Sequence, residues 1–277
     1  MRLELNPVLR DEGTTDVQAF ERIMTLPGEV FRDVKGRTTL RFQAGGRAYF
    51  LKRHTGVGWR EIFKNLFSLR APVLGAGNEH AAIQRLGELG VATLREAGFG
   101  QRGWNPARQE SFLITEELAG MVSLEDLCRD WRGRPPGAGF KRTLIAEVAR
   151  IARVLHENGV NHRDFYICHF LFDPASSPRA PRLHLIDLHR AQLRRCTPER
   201  WVVKDLGALY FSAMDIGLTR RDLLRFLKIY RARPLRDILV REAGFWEKVT
   251  RRAQALYASY DPAAEAAFGA SAPSSGR

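Results

Sequence analysis

The chain has 277 residues, 44% of them hydrophobic, and a formal net charge of +13. This composition is typical of a globular protein, and no stretch approaches the roughly 18 consecutive apolar residues of a membrane-spanning helix. The N-terminus lacks the apolar core of a signal peptide, and three scattered cysteines make no disulfide framework, which favours a reducing cytoplasm. The surplus of positive charge, concentrated in residues 190–252, would attract nucleic acid, anionic lipid, an acidic protein or a polyanionic substrate.

The first elements are short. Residues 15–24 have the pattern of a capped helix. Three runs rich in β-branched and aromatic residues then alternate with glycine-containing turns, at 30–34, 39–42 and 48–52. This order predicts a three-strand antiparallel meander, with Lys52 near the end of its third strand.

The next region carries two amphipathic patterns. Residues 58–70 have the pattern of a basic amphipathic helix, whose apolar side would either pack on the core or lie on an anionic membrane surface. A second helix is predicted at 78–88, and a buried strand at 112–115. The polar segment that follows places a lobe boundary near residue 117.

The remainder is mainly helical. Residues 141–158 have strong helical periodicity and end at Gly159, a residue suited to helix termination. Helical patterns return at 204–215, 220–230 and 244–260. We therefore expect an α+β, two-lobed, protein-kinase-like fold. Its N-lobe (1–117) holds a small antiparallel sheet and one main helix, its C-lobe (118–260) is mostly helical, and 261–277 form a disordered tail.

An H-R-D triplet, His162-Arg163-Asp164, follows the long helix. In protein-kinase-like enzymes such a loop supplies a catalytic carboxylate, with a metal ligand five residues after its Asp. That position is His169 here. Asp187 ends an apolar strand where protein kinases carry D-F-G. We expect Asp164 to accept or orient the acceptor hydroxyl, with His162 and Arg163 supporting the loop, and Asp187 to bind Mg²⁺.

Two upstream residues suit nucleotide binding. Lys52 lies where a strand lysine contacts the α- and β-phosphates of ATP, although an ordinary strand-end lysine would look the same. Glu79, on the following helix, is the candidate partner that holds this lysine in place. Glu117, at the lobe boundary, completes the candidate ATP-binding residues together with Gly36.

Two departures from protein kinases are visible. There is no G-x-G-x-x-G loop, since the first strand turn offers only Gly36. The Asn expected five residues after Asp164 is His169, which would either ligate the metal or hydrogen-bond to Asp187 or a phosphate.

The segment after Asp187 indicates the kind of acceptor. It has no A-P-E motif and a single hydroxyl, Thr197, before the next helix. We therefore expect a non-peptide acceptor. Asp205, predicted to open that helix, would either brace the H-R-D loop by accepting backbone hydrogen bonds or act as a plain N-terminal helix carboxylate.

Longer strings carry a family resemblance. Residues 159–171 and 186–192, with 71–77, 204–213 and 215–221, closely resemble the lipopolysaccharide core heptose kinases, the WaaP/RfaP family. The likeness covers about residues 1–260 and leaves out the tail. It implies an atypical kinase fold in which Asp164 is the catalytic base and Asp187 the metal ligand, and in which His169 is no anomaly.

The resemblance also implies a reaction and a location. These kinases use ATP and Mg²⁺ to phosphorylate the first heptose of the inner core, on the cytoplasmic face of the inner membrane. The expected partners are the lipid A-core glycolipid, a membrane surface and acyl carrier protein, but not nucleic acid. Lipid A carries phosphates and its attached acidic sugars carry carboxylates, so the basic C-terminal region could guide this acceptor.

Two other classes of function remain open from the residues alone. A non-catalytic kinase-fold protein that binds nucleic acid or anionic lipid would explain the charge but would leave Lys52, Asp164 and Asp187 without a role. A metallohydrolase would use a set of metal-capable side chains without a recognised ligand spacing: His162, Asp164, Cys168, His169, His184 and His189.

Overall fold

The computed structural model describes residues 1–34, 36–56, 75–105 and 108–261. They fall into two compact units. The first contains Met1–Ile83 and Leu94–Leu118, and the second contains Gln84–Thr93 and Ala119–Tyr260. The predicted helix at 58–70 and, beyond Asp261, the predicted disordered tail lie outside the described residues. The lobe boundaries taken from the sequence stay a prediction.

The first unit is built on an antiparallel sheet of six strands, in the order β1-β5-β6-β4-β3-β2. The predicted meander is confirmed as its β2, β3 and β4, and the predicted buried strand at 112–115 as its β6. The strands are β1 (Arg2–Leu5), β2 (Glu29–Val34), β3 (Arg37–Ala44), β4 (Arg47–His54), β5 (Glu96–Arg102) and β6 (Glu110–Glu116).

Two helices complete the described part of this unit. Helix α1 (Asp16–Thr25) begins with a capping box in which Thr15 and Gln18 exchange hydrogen bonds, which confirms the capped helix predicted there. Helix α2 (Gly77–Glu88) confirms the second prediction, and the division between the units falls within it. Buried side chains of α1 pack with those of the sheet, among them Phe20, Leu40, Leu51 and Phe112.

The second unit is mostly helical. Its helices are α3 (Leu124–Cys128), α4 (Ala138–Glu157), α5 (Glu199–Ser212), α6 (Arg220–Arg231), α7 (Leu235–Arg241) and α8 (Ala243–Ala258). Its short strands are β7 (Val122–Ser123), β8 (Val160–Asn161), β9 (Phe170–Phe172), β10 (Leu183–Leu185) and β11 (Gln192–Leu193). β10, β9 and β7 form one sheet, and β11 pairs with β8.

One predicted helix start was wrong. Asp205 does not open its helix, because α5 already begins at Glu199 and places Asp205 in its second turn. Pro198 precedes α5 directly, and proline is well tolerated at a helix start. The short helix α7 had no counterpart in the predicted elements. No helix within the described ranges is long and apolar enough to cross a membrane.

The end of α4 positions the segment that carries the H-R-D triplet. Gly159 has a φ of +77°, and a Cβ atom there would lie 1.8 Å from the carbonyl oxygen of Arg194. Only glycine fits this close approach in this backbone conformation. Arg194 donates its backbone N–H to the Gly159 carbonyl at 2.9 Å, next to the β8–β11 pair. The chain therefore leaves α4 in a fixed direction and enters β8 directly before His162.

Candidate active site

Lys52 and Glu79 form a tight ion pair within the first unit. Lys52 lies on β4, opposite Thr39 of β3 and Leu113 of β6, so the central position of its strand fixes its backbone. Its Nζ lies 2.6 Å from the Glu79 Oε1 on α2. The Glu79 side chain is 2% exposed and that of Lys52 is 17% exposed. A buried carboxylate holds a cationic partner in one place. The contact between Lys52 and Glu79 is the one that the sequence predicted.

The other two candidate ATP-binding residues also lie in this unit. Gly36 has a φ of +80° and accepts a hydrogen bond from the Thr55 backbone N–H. Glu117 accepts two hydrogen bonds from the Arg41 guanidinium, at 3.1 and 2.8 Å. Hydrogen bonding and charge from Glu117 raise the pKa of Arg41. The Glu117 carboxylate is thus already paired with a cation.

Asp205 braces the H-R-D loop in the second unit. Its carboxylate is completely buried and accepts the backbone N–H groups of His162 at 2.7 Å and Arg163 at 2.9 Å. His156 of α4 lies 3.4 Å from the same carboxylate. Of the two roles that the sequence left open for Asp205, the structure shows the bracing role.

His162 and Arg163, the first two residues of the triplet, both contribute to the conformation of the loop. His162 is buried, and its Nε2 donates to the Ile186 carbonyl oxygen at 2.9 Å, next to Asp187. Burial lowers the pKa of His162, so the ring is neutral at pH 7. Arg163 adopts a left-handed backbone with a φ of +76°. For a residue with a Cβ this conformation is unfavourable and is held by the surrounding hydrogen bonds.

Asp164 has a partner that the sequence did not predict. Arg190 donates to its Oδ1 from Nη1 at 2.6 Å. The Asp164 side chain is 15% exposed and that of Arg190 is 40% exposed, so the carboxylate is mostly buried while its partner reaches solvent. Arg190 follows Asp187 by three residues. The sequence offered one signal, which was the closeness of Arg190 to the predicted site residue Asp187. The local pattern gave no indication that Arg190 contacts Asp164, which lies 26 residues earlier in the chain.

His169, Asp187 and His189 form a second group. The His169 Nδ1 lies 2.6 Å from the Asp164 backbone oxygen, and its Nε2 lies 3.5 Å from the Asp187 Oδ2. Since a carbonyl oxygen only accepts, Nδ1 carries a proton and donates it to the Asp164 oxygen, while Nε2 faces Asp187. The His189 Nδ1 lies 2.5 Å from the other oxygen of Asp187. His189 was not among the predicted kinase residues.

This donor set fits a divalent cation. A ligating histidine commonly donates its other ring N–H to a carbonyl group, and His169 does so. Asp187 has a left-handed backbone with a φ of +62°, an unfavourable conformation of the kind found at functional sites. A carboxylate and an imidazole nitrogen facing one another are suitable ligands, although Mg²⁺ prefers oxygen.

The second unit also contains an apolar pocket of about 250 Å³. Helices α4, α5, α6 and α8 supply most of its walls, and its lining includes Leu144, Val148, Leu209, Leu223 and Phe226. Asp222, also at the wall, is paired with Lys141 at 3.0 Å. No motif in the sequence indicated this pocket, because its lining residues read as ordinary core positions of several helices.

The metallohydrolase cluster is not supported. Within the described ranges, one group of three metal-capable side chains has all its ligand atoms within 4.8 Å of one another: Glu4, His80 and Glu96. None of the six residues proposed for that alternative belongs to it. The Arg2 guanidinium lies 3.0 Å from the His80 Nε2, so a cationic side chain already contacts this group.

Comparison with known proteins identifies the family. Residues 21–230 match the lipopolysaccharide kinase (Kdo/WaaP) family. The chain belongs to this family. Membership in a kinase family implies the use of ATP, and the resemblance predicted from the sequence is confirmed.

Curated relatives agree over most of their length. A protein of Pseudomonas aeruginosa named lipopolysaccharide core heptose(I) kinase WaaP is 55% identical over 240 residues, which are 86% of this chain and 90% of the relative. A protein of Escherichia coli with the same name is 52% identical over 84% of this chain and 89% of the relative. The protein of that name from strain K12 is 50% identical over 86% of this chain and 91% of the relative.

A solved structure has the same fold. It is described as WaaP in complex with acyl carrier protein, and it superposes with a TM-score of 0.79 at 50% identity. The match covers 93% of this chain and all of the other. The α+β, protein-kinase-like fold class predicted from the sequence is therefore confirmed.

The brace at Asp205 gives a first prediction. In Asp205→Ala the amides of His162 and Arg163 lose their acceptor, and we expect kcat to fall by a factor of about 10² or more, as when catalytic groups are misplaced. Asp205→Asn keeps the size but offers one carbonyl oxygen to two amides, so its kcat should lie between those of the wild type and the alanine variant. Steady-state kinetics with a thermal melt of each variant measure this. A folded Asp205→Ala variant with wild-type kcat would contradict the brace.

Proposed function

We propose that this protein is an ATP-dependent kinase that phosphorylates the first heptose of the lipopolysaccharide inner core. The observation that carries the proposal is Asp164, held on a loop whose two preceding amides are fixed by the buried Asp205. Phosphoryl transfer requires this kind of positioned carboxylate more than covalent chemistry from the protein. The relatives that bear the heptose kinase name are 50 to 55% identical over at least 84% of this chain.

We assign to Asp164 the role of accepting the proton of the acceptor hydroxyl. Arg190 engages its Oδ1, which leaves the second carboxylate oxygen for the hydroxyl proton of the sugar. His162 and Arg163 act through the loop. His162 donates a hydrogen bond to the carbonyl of Ile186, which links the loop that carries Asp164 to the segment that carries Asp187.

Nucleotide binding is assigned to residues of the first unit. Lys52 binds the α- and β-phosphates of ATP, and Glu79 holds its ammonium group in place. Gly36 supplies a backbone turn without a side chain. Glu117, whose carboxylate Arg41 already engages, contacts the nucleotide through its backbone.

Mg²⁺ is assigned to Asp187 and His169. The Nε2 of His169 and the Oδ2 of Asp187 lie 3.5 Å apart. When bound, Mg²⁺ would neutralise charge on the phosphates of ATP. His189 fixes the orientation of the Asp187 carboxylate through its contact with the other oxygen.

The proposed substrate is a membrane glycolipid, which supports a location at a membrane surface. Lipid A-core is an anionic glycolipid, so we assign this kinase to the cytoplasmic face of the inner membrane, without a spanning helix among its described residues. The net charge of +13 favours contact with an anionic surface.

Acyl carrier protein is the proposed protein partner. The similar solved structure is described as WaaP in complex with that protein. The apolar pocket of about 250 Å³ suits an acyl chain, because its walls are almost entirely aliphatic and aromatic. An acidic carrier would also be attracted by the basic second unit.

Removal of the Asp164 carboxylate is the test of the proposed reaction. We expect Asp164→Asn to lower kcat by about 10²–10⁴-fold, the usual contribution of a general base. Mass spectrometry of lipopolysaccharide from cells that carry only this variant should show a core without the heptose phosphate. Asp130→Asn, at an exposed aspartate of the same unit, is the control and should leave the phosphate in place. Retention of the phosphate with Asp164→Asn would overturn the assignment.

The role of His169 can be separated from general loss of structure. His169→Leu removes the ligand, and we expect the Mg²⁺ concentration for half-maximal rate to rise by about ten-fold or more. His169→Asn restores an oxygen ligand and should remain close to the wild type. Binding of Mn²⁺, followed by electron paramagnetic resonance with a non-hydrolysable ATP analogue, gives a readout that does not depend on turnover. Identical cation affinities for His169→Leu and wild type would exclude direct ligation.

Filling the apolar pocket tests the acyl carrier protein proposal. Val148→Trp places an indole in the pocket, and we expect affinity for acylated carrier protein to fall by about ten-fold through overpacking. Val240→Trp, on an exposed position of α7, adds the same side chain outside the pocket and should bind normally. Size-exclusion chromatography and calorimetry with acylated and unacylated carrier measure the difference. Equal binding of both carriers to all three proteins would contradict the role of the pocket.

A further inference from the structure

Trp201, in the first turn of α5, is surrounded by positive charge. The Lys204 Nζ lies 4.4 Å from the centre of the indole ring. The guanidinium carbon of Arg163 lies 5.3 Å from the same point, and those of Arg194 and Arg200 lie at 5.6 Å. These four cations around one ring are called here the Trp201 basic cluster.

The cluster lacks a carboxylate in direct ion-pair contact within the described part of the chain. Among the described residues, none of its four cations forms an ion pair with an acid within 4.0 Å. Glu199, next to Arg200, pairs instead with Lys248 at 2.7 Å. The Arg163 Nε and the Trp201 Nε1 are buried without a hydrogen-bond acceptor within the described ranges. Uncompensated like charges of this kind are unfavourable unless an anion joins them.

The charges of the cluster act on one another. Burial lowers the pKa of Arg163, and the charges of Arg190 and Arg194 lower it further, while the charges of Asp164 and Asp205 act in the opposite direction. Cation–π contact with Trp201 offsets part of this repulsion and also orients the side chains. The ring therefore gathers cations that would otherwise separate in solvent.

The cluster adjoins the catalytic carboxylate. Arg163 directly precedes Asp164 in the loop. Arg190 donates a hydrogen bond to the Asp164 carboxylate, and its charge also acts on Arg163. Arg194 is tied to the same segment, since it donates to the Asn161 side chain and its backbone bonds to Gly159. A ligand that reaches Asp164 with a hydroxyl is thus within reach of several positive charges.

We propose that the Trp201 basic cluster binds an oxyanion of the acceptor glycolipid, a carboxylate or a phosphate, and thereby sets the sugar hydroxyl at Asp164. The inference rests on the proposed kinase function and names the part of the acceptor that this surface recognises. Three guanidinium groups suit such an anion, because each can offer paired N–H donors to two oxygens.

A phosphate on the protein itself is the less suitable occupant. Thr197 has the only side-chain hydroxyl between Asp187 and α5. It is 8% exposed, and its Oγ1 donates to the Val160 carbonyl oxygen at 3.4 Å. Phosphorylation of this hydroxyl would require removal of a buried hydrogen bond. A carboxylate or phosphate of the acceptor is therefore the better-suited ligand of the cluster.

The test uses the purified full-length enzyme with three acceptors. These are intact lipid A-core lacking the heptose phosphate, the same glycolipid with its carboxyl groups amidated, and a third preparation with its lipid A phosphates removed. Lys204→Gln and Arg194→Gln each remove one positive charge from the cluster, whereas Lys204→Arg keeps the charge. Arg236→Gln, an exposed cation of α7 outside the cluster, is the matched control. Thermal melts establish that each variant is folded.

With the intact acceptor we expect each Gln variant to lower kcat/KM by about ten-fold, mainly through the acceptor KM, with the ATP KM changed less than about two-fold. Lys204→Arg should retain most of the kcat/KM that Lys204→Gln loses, and Arg236→Gln should remain close to the wild type. The effect of each Gln variant should disappear with whichever modified acceptor lacks the recognised anion. This outcome also distinguishes carboxylate from phosphate.

Two results would overturn the inference. If the Gln variants lower kcat/KM equally with all three acceptors, or do not lower it at all, the cluster does not bind an acceptor anion. Phosphate transfer by the wild type to the intact acceptor would in that case leave the proposed function standing. If the wild type transfers no phosphate to the intact glycolipid, the proposed function fails, and this inference fails with it.

Discussion

The buried carboxylate of Asp205 is the contact on which the catalytic segment depends. It receives the amides of His162 and Arg163 from the loop and faces His156 of α4. A buried carboxylate without such donors would be strongly unfavourable, so these hydrogen bonds stabilise the contact between helix α5 and the loop. The left-handed backbone of Arg163 is held by the same two hydrogen bonds. One side chain thus ties the direction of the loop to the packing of two helices.

Charge is divided among separate tasks in this molecule. In the first unit, Lys52 and Glu79 form a nearly water-free pair whose purpose is a fixed ammonium position. In the second unit, Arg190 occupies one oxygen of Asp164, while the cations around Trp201 have no carboxylate of their own among the described residues. Paired charges therefore fix side chains in place, and the charges around Trp201 are those to which we assign a ligand.

Local signals made much of this fold predictable. The meander, the capped helix α1 and the end of α4 at Gly159 each follow from turn, cap or periodicity signals within a few residues. Strand β5 was missed because Gly98 and Gly100 weaken its pattern. Gly100 is required since a Cβ atom there would meet the Phe112 ring at 2.4 Å. The Arg190–Asp164 pair depends on tertiary folding and leaves no local pattern.

Gly159 connects the backbone geometry at a helix end with the proposed recognition of the acceptor. Its missing side chain lets the carbonyl of Arg194 approach, and the adjoining β8–β11 ladder carries the catalytic loop on one strand and a basic-cluster residue after the other. The ladder is only two residue pairs long, so it has little capacity to absorb a displacement. A change at this helix end would therefore alter which acceptors the enzyme accepts, and a screen of substrate preference would report a residue that touches no substrate.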